Sequence, residues 1–587
     1  MTENQKTWSR ARRGAATQSD SAHDRSESRR VSALSALFVL AAAILSARLF
    51  YVQIIQHRAY AALAETQQTS QTTLLPKRGE IYAHDKTTSD GVTPLAINRD
   101  MYHVFAEPSR FKGNIDDTAR QIAPLLNLSE DTVKERLSKK DDIYELLGHN
   151  ISEQAVDALK KIRDEQKIKG MYWKPEQSRF YPEGNIASSI TGFMGFANEK
   201  RVGQYGMEGF FNERLTGQVV ERDSLSTALQ DPKDGDTLIL TIDKNIQYNA
   251  CTALQEAADK HHAKKGSIIV MDPKTGAILA LCNVPNYDPN KYNEVEDIAV
   301  FENDVVTDQY EPGSIFKTVT MSAGVDAKKV TPYTTYQDNG EVKIGKYSIR
   351  NSDRKAHGTT DMRTVLEKSL NVGTTFIEQQ LGHDLWEQYV TAFGFGKKTG
   401  IELSAENVGD ITAVHKKKDI YGATTSYGQG LTVTPIQMIQ AVGAIANDGK
   451  MMKPHLIDKV VHSNGHVDVI EPEMVGQPIS KEAANTVAAM MVGVIDKSAT
   501  RTAYVDGYYM SGKTGTAQIP NKNGGYDENR HKSSFVGFGP LRDPQFVILV
   551  KLDEPQTQWA EGAVSPVFGK VAKYLVNYLE IPPDRKE

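Results

Sequence analysis

A serine three residues before a lysine can form a reactive nucleophile, and this pattern occurs three times in the chain. The pairs are Ser109 with Lys112, Ser314 with Lys317, and Ser352 with Lys355. A serine hydroxyl is a poor nucleophile until a base removes its proton, and a desolvated lysine crowded by other cations can be that base. Positions i and i+3 share one face of a helix, so a helical setting would bring the two groups together.

Local sequence favours Ser314 among the three. Pro312 and Gly313 precede a run long enough for a helix, and this run has apolar residues to bury at Ile315, Phe316, Val319 and Met321. Ser109 lies between Pro108 and Gly113, which leave no room for a helix, and the residues around Ser352 lack apolar periodicity. The alternative for Ser314 and Lys317 is the exposed start of a surface helix.

The triplet Lys-Thr-Gly also occurs three times, beginning at residues 274, 398 and 513. The last can be interpreted in two ways, because Gly507 to Thr514 fits the phosphate-binding pattern GxxxxGK[ST]. That pattern needs a helix starting at Lys513, whereas Gly515, Thr516 and soon Pro520 follow, which is typical of a strand. We therefore predict a strand and reject a nucleotide site. The triplet at 274 lies at a hairpin tip, and the one at 398 lies in a glycine-rich loop.

A third element is Ser369-Leu370-Asn371, which falls between two apparent helices. A rigid loop there would present both polar side chains. A second hydroxyl next to two lysines can pass a proton to a departing amine.

The surrounding elements predict a mixed α+β domain with an antiparallel sheet. Residues 266–272 and 276–282 form one strand-like pair, and residues 534–540 and 546–552 form another. Helical patterns separate the two pairs. Thr434-Pro435-Ile436-Gln437 carries a capping-box pattern, so a buried helix should run from there to about Ala446.

The N-terminal region has the character of a membrane anchor. Residues 1–30 are polar, with seven Lys/Arg against four acids, and residues 31–47 carry no charge. With Arg48 and the apolar residues that follow, we expect a transmembrane helix over 31–52 and a cytoplasmic N-terminus. A cleaved signal peptide is the alternative. Residues beyond about 55 would then be extracytoplasmic, where ATP is scarce, which further weakens the nucleotide interpretation.

Composition excludes several other classes. The chain has 587 residues, which predicts two or three domains, and its net charge of -5 argues against broad nucleic-acid binding. Its two cysteines, Cys251 and Cys282, exclude a disulfide scaffold and a CxxC site, and we expect them to be unpaired core residues rather than a bridge. The pair His261-His262 is typical of a solvated helix end. The region before residue 230 shows no cluster of His, Cys or paired acids that suggests a site.

Taken together, the elements SIFK, SLN and KTGT resemble those of the penicilloyl serine transferases, and specifically of class B penicillin-binding proteins. The resemblance covers most of the chain and extends to the segments RGEIYA (78–83), RFYPEGNIASSITGFMG (179–195), YGMEGFFNERLTG (205–217), SYGQGLTVTPIQMIQAVGAIANDGKMMKPHL (426–456) and SFVGFGP (534–540). It implies the penicilloyl serine transferase fold, an antiparallel sheet packed by helices, preceded by an elongated mixed pedestal. The expected organisation is a tail (1–30), an anchor (31–52), a linker (53–75), a pedestal of dimerisation type (76–230), a transpeptidase domain (231–580) and a C-terminal tail (581–587).

The same resemblance implies a peptidoglycan D,D-transpeptidase that works without a metal or organic cofactor. Its catalytic residues would be Ser314, Lys317, Ser369, Asn371 and Lys513, and its substrate-binding residues would be Thr514, Gly515 and Thr516. Expected partners are peptidoglycan stem peptides, β-lactams as covalent inhibitors, the membrane, a polytopic glycan polymerase and division proteins, but no nucleic acid. The expected location is the inner (plasma) membrane, with a septal role. The alternatives are an elongation-type transpeptidase, a carboxypeptidase or β-lactamase, and a non-catalytic scaffold.

Overall fold

The computed structural model describes residues 36–51, 76–197, 200–218, 233–498, 501–520, 525–557 and 560–585. The chain divides into two compact units, Met1–Leu75 and Pro76–Glu587. In the first unit a helix, α1, covers 36–50 and lies within the predicted anchor. Among the described residues, none of the helices has both the length and the apolar character needed to cross a membrane. The predicted tail 1–30, the anchor residues 31–35 and 52, and the linker 53–75 lie outside the described residues.

The second unit mixes strands and helices along its length. The strands are β1 (Ile81–His84), β2 (Val92–Ala106), β3 (Glu145–Ile151), β4 (Met171–Phe180), β5 (Phe193–Ala197), β6 (Lys200–Gln204), β7 (Thr237–Asp243), β8 (Lys265–Met271), β9 (Ile278–Val284), β10 (Thr335–Asp338), β11 (Glu341–Ile344), β12 (Tyr347–Arg350), β13 (Gly358–Asp361), β14 (Met451–Met452), β15 (Ile457–Val461), β16 (Val467–Val469), β17 (Met474–Gly476), β18 (Ser511–Pro520), β19 (Tyr526–Gly539) and β20 (Phe546–Asp553).

The helices of this unit are α2 (Ile115–Leu126), α3 (Glu130–Leu137), α4 (Glu153–Glu165), α5 (Ser188–Thr191), α6 (Gly206–Phe210), α7 (Asn212–Thr216), α8 (Lys244–Lys260), α9 (Asp304–Thr307), α10 (Lys317–Asp326), α11 (Met362–Glu367), α12 (Asn371–Leu381), α13 (His383–Ala392), α14 (Thr412–His415), α15 (Asp419–Ser426), α16 (Pro435–Ala446), α17 (Lys481–Asp496), α18 (Ala560–Ala563) and α19 (Ser565–Tyr578). Short 3₁₀ turns include Gly313–Phe316, which leads directly into α10.

A seven-stranded sheet joins the predicted pedestal to the region that follows it. Its order is β16-β15-β7-β1-β2-β3, with β4 also paired to β2. Strands β1 and β7 are parallel, and the other pairs are antiparallel. Strands β1 to β4 belong to the predicted pedestal, whereas β7, β15 and β16 follow residue 230. The two regions therefore share one hydrogen-bonded sheet.

A five-stranded antiparallel sheet, in the order β18-β19-β20-β8-β9, forms the centre of the C-terminal half. It contains both predicted strand pairs. Alternate residues of β8 enter different cores: Ile269 packs in the core that includes α10, α16 and α17, and Val270 packs in the core that includes α8 and α19. Both faces of the sheet are thus covered by helices, which confirms the α+β prediction.

The predicted buried helix is α16. It begins after Thr434, whose side chain accepts from the backbone N–H of Gln437, and the Gln437 side chain accepts in return from the Thr434 N–H. All residues from Pro435 to Ala446 are buried. A helix that is buried on every side belongs in the centre of a domain, and α16 lies between the sheet and α17.

The expectation of two unpaired cysteines was wrong. Cys251 on α8 and Cys282 on β9 form a disulfide, with Cα atoms 5.5 Å apart. Both residues are buried, as predicted for core positions. Helix α8 packs directly on β9, and this contact brings together two thiols that lie 31 residues apart in the chain. The sequence pattern does not reveal how α8 is rotated on β9, so the pairing was not visible from it.

Candidate active site

Ser314 lies at the start of a deeply buried helix. It occupies the 3₁₀ turn Gly313–Phe316 and is only partly buried, whereas the four apolar residues predicted to be buried, Ile315, Phe316, Val319 and Met321, are completely inaccessible. Lys317, the first residue of α10, is also completely buried. A surface helix is therefore excluded, and Ser314 is a partly exposed residue at the N-terminal end of a core helix.

The turn that carries Ser314 is held from two sides. The Gly313 N–H donates to the carbonyl of Gly428 at 3.0 Å. Gly428 has φ +80°, and a Cβ on it would lie 2.2 Å from the Gly313 carbonyl oxygen. On the other side, a Cβ on Gly515 of β18 would lie 3.0 Å from the carbonyl oxygen of Pro312. Glycine at both positions lets the backbones approach closely enough to place Ser314 beside β18.

Lys317 makes the contacts that bring the first two motifs together. Its Nζ lies 2.6 Å from the Ser369 carbonyl oxygen, 3.1 Å from Ser369 Oγ and 2.7 Å from Asn371 Oδ1. The Asn371 amide nitrogen in turn donates to the carbonyl of Arg350 at 2.9 Å, which fixes the orientation of the amide. The structure thus places three of the predicted catalytic residues in one hydrogen-bonded cluster.

The segment Ser369-Leu370-Asn371 forms the predicted rigid connection between helices. It joins α11 to α12, and Leu370 anchors it in the core at 1% exposure. Ser369 has φ +57°, a left-handed conformation that is costly for a non-glycine residue. Such a conformation persists only where the surrounding structure enforces it. Here it points the Ser369 carbonyl and hydroxyl at the same amine.

Lys513 lies on β18, in the middle of a strand, so the phosphate-loop interpretation is excluded. Strand β18 is the terminal strand of the five-stranded sheet. Lys513 is 1% exposed, and its Nζ lies 3.1 Å from the carbonyl oxygen and 3.4 Å from Oγ1 of Thr514. Thr514 and Thr516 are both partly exposed and two residues apart, so they share one face of the strand. The Lys513 amine curls toward this face.

Burial disfavours the charged form of both amines in this site. Burial, together with the nearby ammonium of Lys513, lowers the pKa of Lys317 well below its usual range. Burial also lowers the pKa of Lys513 to about 7, and the carboxylate of Glu561 opposes this shift in part. The Lys317 amine donates to the Ser369 carbonyl, to Ser369 Oγ and to Asn371 Oδ1, and the neutral form that a lowered pKa favours has a lone pair that can take a proton. The geometry therefore fits a lysine that acts as a base.

Sequence reasoning missed two contributors to this site. Gly428 lies in the segment 426–456, where the sequence indicates only a family resemblance, and its backbone contact with Gly313 depends on how distant segments fold together. Glu561 influences Lys513 from α18, and no spacing rule links the two. The remaining candidates fall outside the site: Gly276 of the first Lys-Thr-Gly triplet has φ +83° at its hairpin tip, and His261 caps the C-terminus of α8, as predicted.

Comparison with known proteins agrees with this geometry. Residues 266–573 match the penicillin binding protein transpeptidase domain, and residues 73–238 match the penicillin-binding protein dimerisation domain. The chain belongs to the penicillin-binding protein transpeptidase family. The predicted resemblance to class B penicillin-binding proteins and the predicted enzyme class, a serine-type transpeptidase, are confirmed.

Individual relatives cover almost the whole chain of this penicillin-binding protein. Stage V sporulation protein D of Bacillus subtilis is 31% identical over 93% of this chain and 85% of its own length. The peptidoglycan D,D-transpeptidase FtsI homolog of Mesostigma viride is 29% identical over 93% of this chain and 95% of its own length. The crystal structure of penicillin binding protein 2X from Streptococcus thermophilus superposes with a TM-score of 0.73 at 26% identity, covering 86% of this chain and 80% of that one.

Proposed function

We propose that this penicillin-binding protein cross-links peptidoglycan stem peptides through an acyl-serine formed at Ser314. The observation that carries the proposal is the triple contact of Lys317 Nζ with Ser369 and Asn371, at 2.6 to 3.1 Å, one helical turn from Ser314. Names of relatives support the substrate, since one is called a peptidoglycan D,D-transpeptidase.

In the acylation step, neutral Lys317 takes the proton of Ser314, and Oγ attacks the carbonyl carbon of the penultimate D-Ala. The tetrahedral oxyanion is stabilised by the backbone N–H groups of Ser314 and Thr516, and losing one such donor costs about 2.7–4 kcal/mol of transition-state stabilisation. The C–N bond then breaks. The departing amine of the terminal D-Ala receives a proton through Ser369, with Lys513 as the second amine of the relay.

In the deacylation step, the amine of a second stem peptide attacks the acyl-serine. Lys317 and Ser369 accept its proton and return one to Ser314 Oγ as the new peptide bond forms. Asn371 orients Lys317 and donates to the substrate amide. Catalysis of this type is favoured by a base whose pKa is brought down from that of an ordinary lysine, and burial lowers the pKa of Lys317 in this direction.

Strand β18 would bind the donor peptide. Thr514 and Thr516 hold the terminal carboxylate by hydrogen bonds, and the Lys513 ammonium adds charge complementarity. Gly515 lies between them, and a Cβ on it would lie 3.0 Å from the carbonyl oxygen of Pro312, just before the Ser314 turn. An extended peptide adding to the edge of a sheet gains main-chain hydrogen bonds in this way.

We also propose that residues 31–52 anchor the protein in the inner membrane by a single span, with the basic tail 1–30 in the cytoplasm. The uncharged run 31–47 and the excess of Lys and Arg in residues 1–30 support this placement. The cellular role that we favour is septal wall synthesis with a polytopic glycan polymerase and division proteins, because the long 426–456 segment and the moderate pedestal fit that branch. Depletion in cells should then give filaments, whereas rounded cells would favour the elongation branch.

The experiment that tests the reaction is product analysis. Purified protein is given a donor peptide ending in D-Ala-D-Ala, with and without an acceptor amine. A transpeptidase produces the cross-linked dimer and releases D-Ala. The ratio of dimer to released D-Ala should rise with acceptor concentration. Release of D-Ala without any dimer would indicate a carboxypeptidase, and no release at all would indicate a scaffold.

A further inference from the structure

Three potential metal ligands converge on one face of the pedestal, far along the chain from the active-site motifs. His103 lies on β2, His149 on β3 and Glu176 on β4. Strand β2 pairs with both β3 and β4, so these are three adjacent strands with β2 in the middle. Their spacing in the sequence matches no metal-binding motif, and only the strand registers bring them together.

The distances between the ligand atoms are those of a compact site. His103 Nδ1 lies 3.0 Å from His149 Nδ1, and His149 Nδ1 lies 3.7 Å from Glu176 Oε2. One potential ligand atom from each residue lies within 4.8 Å of the others. Ligands on a tetrahedral zinc ion, at about 2.0–2.1 Å from the metal, are about 3.3 Å apart, so the His103–His149 and His149–Glu176 separations lie on either side of that value.

Outer contacts orient two of the ligands. His103 uses its second ring nitrogen, Nε2, for a short hydrogen bond with the hydroxyl of Tyr144, which leaves Nδ1 free to face His149. Arg201 Nη1 lies 3.5 Å from Glu176 Oε1 and so holds the other carboxylate oxygen. Outer-shell hydrogen bonds of this kind are typical of metal-binding histidines and carboxylates.

Within the described part of the chain, one carboxylate oxygen of Glu176 lacks a hydrogen-bond donor, which points to a ligand. Glu176 Oε2 is buried and has no hydrogen-bond partner among the described residues, although it faces His149. A buried carboxylate oxygen without a donor costs free energy. A cation between Glu176 and the two imidazoles would satisfy this oxygen and would also replace the proton that the two facing Nδ1 atoms must otherwise share.

We propose that His103, His149 and Glu176 bind one zinc ion, with water completing a four-coordinate site. Two imidazoles and one carboxylate form a ligand set that zinc prefers. The ion would tie β3 and β4 to β2 and so stiffen the pedestal. Lys174, opposite His103 in the β2–β4 register, and Arg201 are nearby cations that weaken the affinity, so the site should exchange its metal with chelators.

The metal content of the full-length protein tests this inference. After treatment with a chelator, the protein is dialysed against a small excess of zinc sulfate and then against metal-free buffer, and bound zinc is measured by mass spectrometry. We expect about one bound zinc per chain in the wild type. The bound zinc should be at least tenfold lower in His103→Gln, His149→Gln and Glu176→Gln. The matched control is His466→Gln, which alters an exposed histidine beside His462 and Asp468 and should keep the metal.

Two readouts separate metal binding from misfolding. Fluorescent-penicillin labelling should be unchanged in all four variants, because none of the residues lies in the active site. When cobalt replaces zinc in the wild type, we expect the visible absorption bands of a four-coordinate cobalt ion. The same treatment of Glu176→Gln should not give these bands. Zinc retention equal in the wild type and in all three ligand variants, or no retention in a wild type that still binds penicillin, would overturn the proposal.

Discussion

Lys317 Nζ lies 2.7 Å from Asn371 Oδ1, so the first residue of α10 is joined to the first residue of α12. This contact connects the Ser-x-x-Lys motif to the Ser-x-Asn motif across 54 residues of chain. Because Asn371 is itself held by the Arg350 carbonyl, the lysine is oriented by the backbone of a third segment.

Replacing Asn371 with Ala should therefore slow acylation without unfolding the protein. A hydrogen bond to a charged or proton-transferring group contributes about 1.5–3 kcal/mol, which corresponds to a rate lower by about 10- to 150-fold. The measurement is the rate of fluorescent-penicillin labelling, with the melting temperature recorded alongside. Asn577→Ala, at an exposed position on α19, is the control and should label at the wild-type rate. An unchanged rate in Asn371→Ala would show that Lys317 does not need this partner.

The two lysines should give acylation a bell-shaped pH dependence. Lys317 must be neutral to act as a base, so the rate rises as pH increases through its lowered pKa. Lys513 must be charged to attract the substrate carboxylate, so binding weakens as pH rises through about 7 in the free enzyme. The measurement is the second-order acylation constant as a function of pH, and its apparent pKa values belong to the pair.

Glu561 offers a way to assign the alkaline limb of that profile. Its carboxylate favours the Lys513 ammonium, so Glu561→Gln should lower the pKa of Lys513 further and move the alkaline limb to lower pH. The lowered pKa of Lys513 also makes the stability of the folded protein depend on pH. The unfolded chain binds more protons than the folded one between pH about 7 and 10.5, so this lysine makes the protein more stable as pH rises through that window. An alkaline limb unmoved by the substitution would mean that another group controls it.

Replacing Gly428 with Ala should disturb the active site, because the added methyl group would clash with Gly313 and because Gly428 has a positive φ. A Cβ there would lie 2.2 Å from the Gly313 carbonyl and would displace the turn carrying Ser314. Gly382 has a similar φ, +76° against +80°, but a Cβ on it meets nothing within 4 Å. Both Ala variants place a side chain at positive φ, and at Gly382, where ψ is 159°, this conformation is almost confined to glycine and costs about 1–3 kcal/mol. Penicillin labelling should fall at least tenfold in Gly428→Ala and stay near wild type in Gly382→Ala, and equal labelling of the two would contradict this role.

Local patterns in the sequence predicted much of this structure. The capping box at Thr434, the buried apolar positions around Ser314 and the strand at Lys513 each depend on residues within a few positions of one another. The parts that were missed depend on how distant elements pack. The disulfide needs the rotation of α8 on β9, and the convergence of His103, His149 and Glu176 needs the registers of three strands.

The disulfide should contribute measurably to stability but not to catalysis. Closing a loop of 31 residues is expected to stabilise a protein by about 2–4 kcal/mol. The double variant Cys251→Ala/Cys282→Ala should unfold at a lower denaturant concentration and label normally with penicillin. A reductant should destabilise the wild type and leave the double variant unchanged. No difference between the two proteins under oxidising conditions would contradict a formed bridge.

Mass spectrometry of the penicillin-treated protein tests the central claim most directly. Peptide mapping should place a single penicilloyl adduct on the peptide containing Ser314, and Ser314→Ala should abolish the adduct while keeping the wild-type melting temperature. Ser352→Ala, which alters an exposed serine in a second Ser-x-x-Lys sequence, should be acylated normally. An adduct on any other residue, or one that persists in Ser314→Ala, would contradict the assignment of Ser314 as the nucleophile.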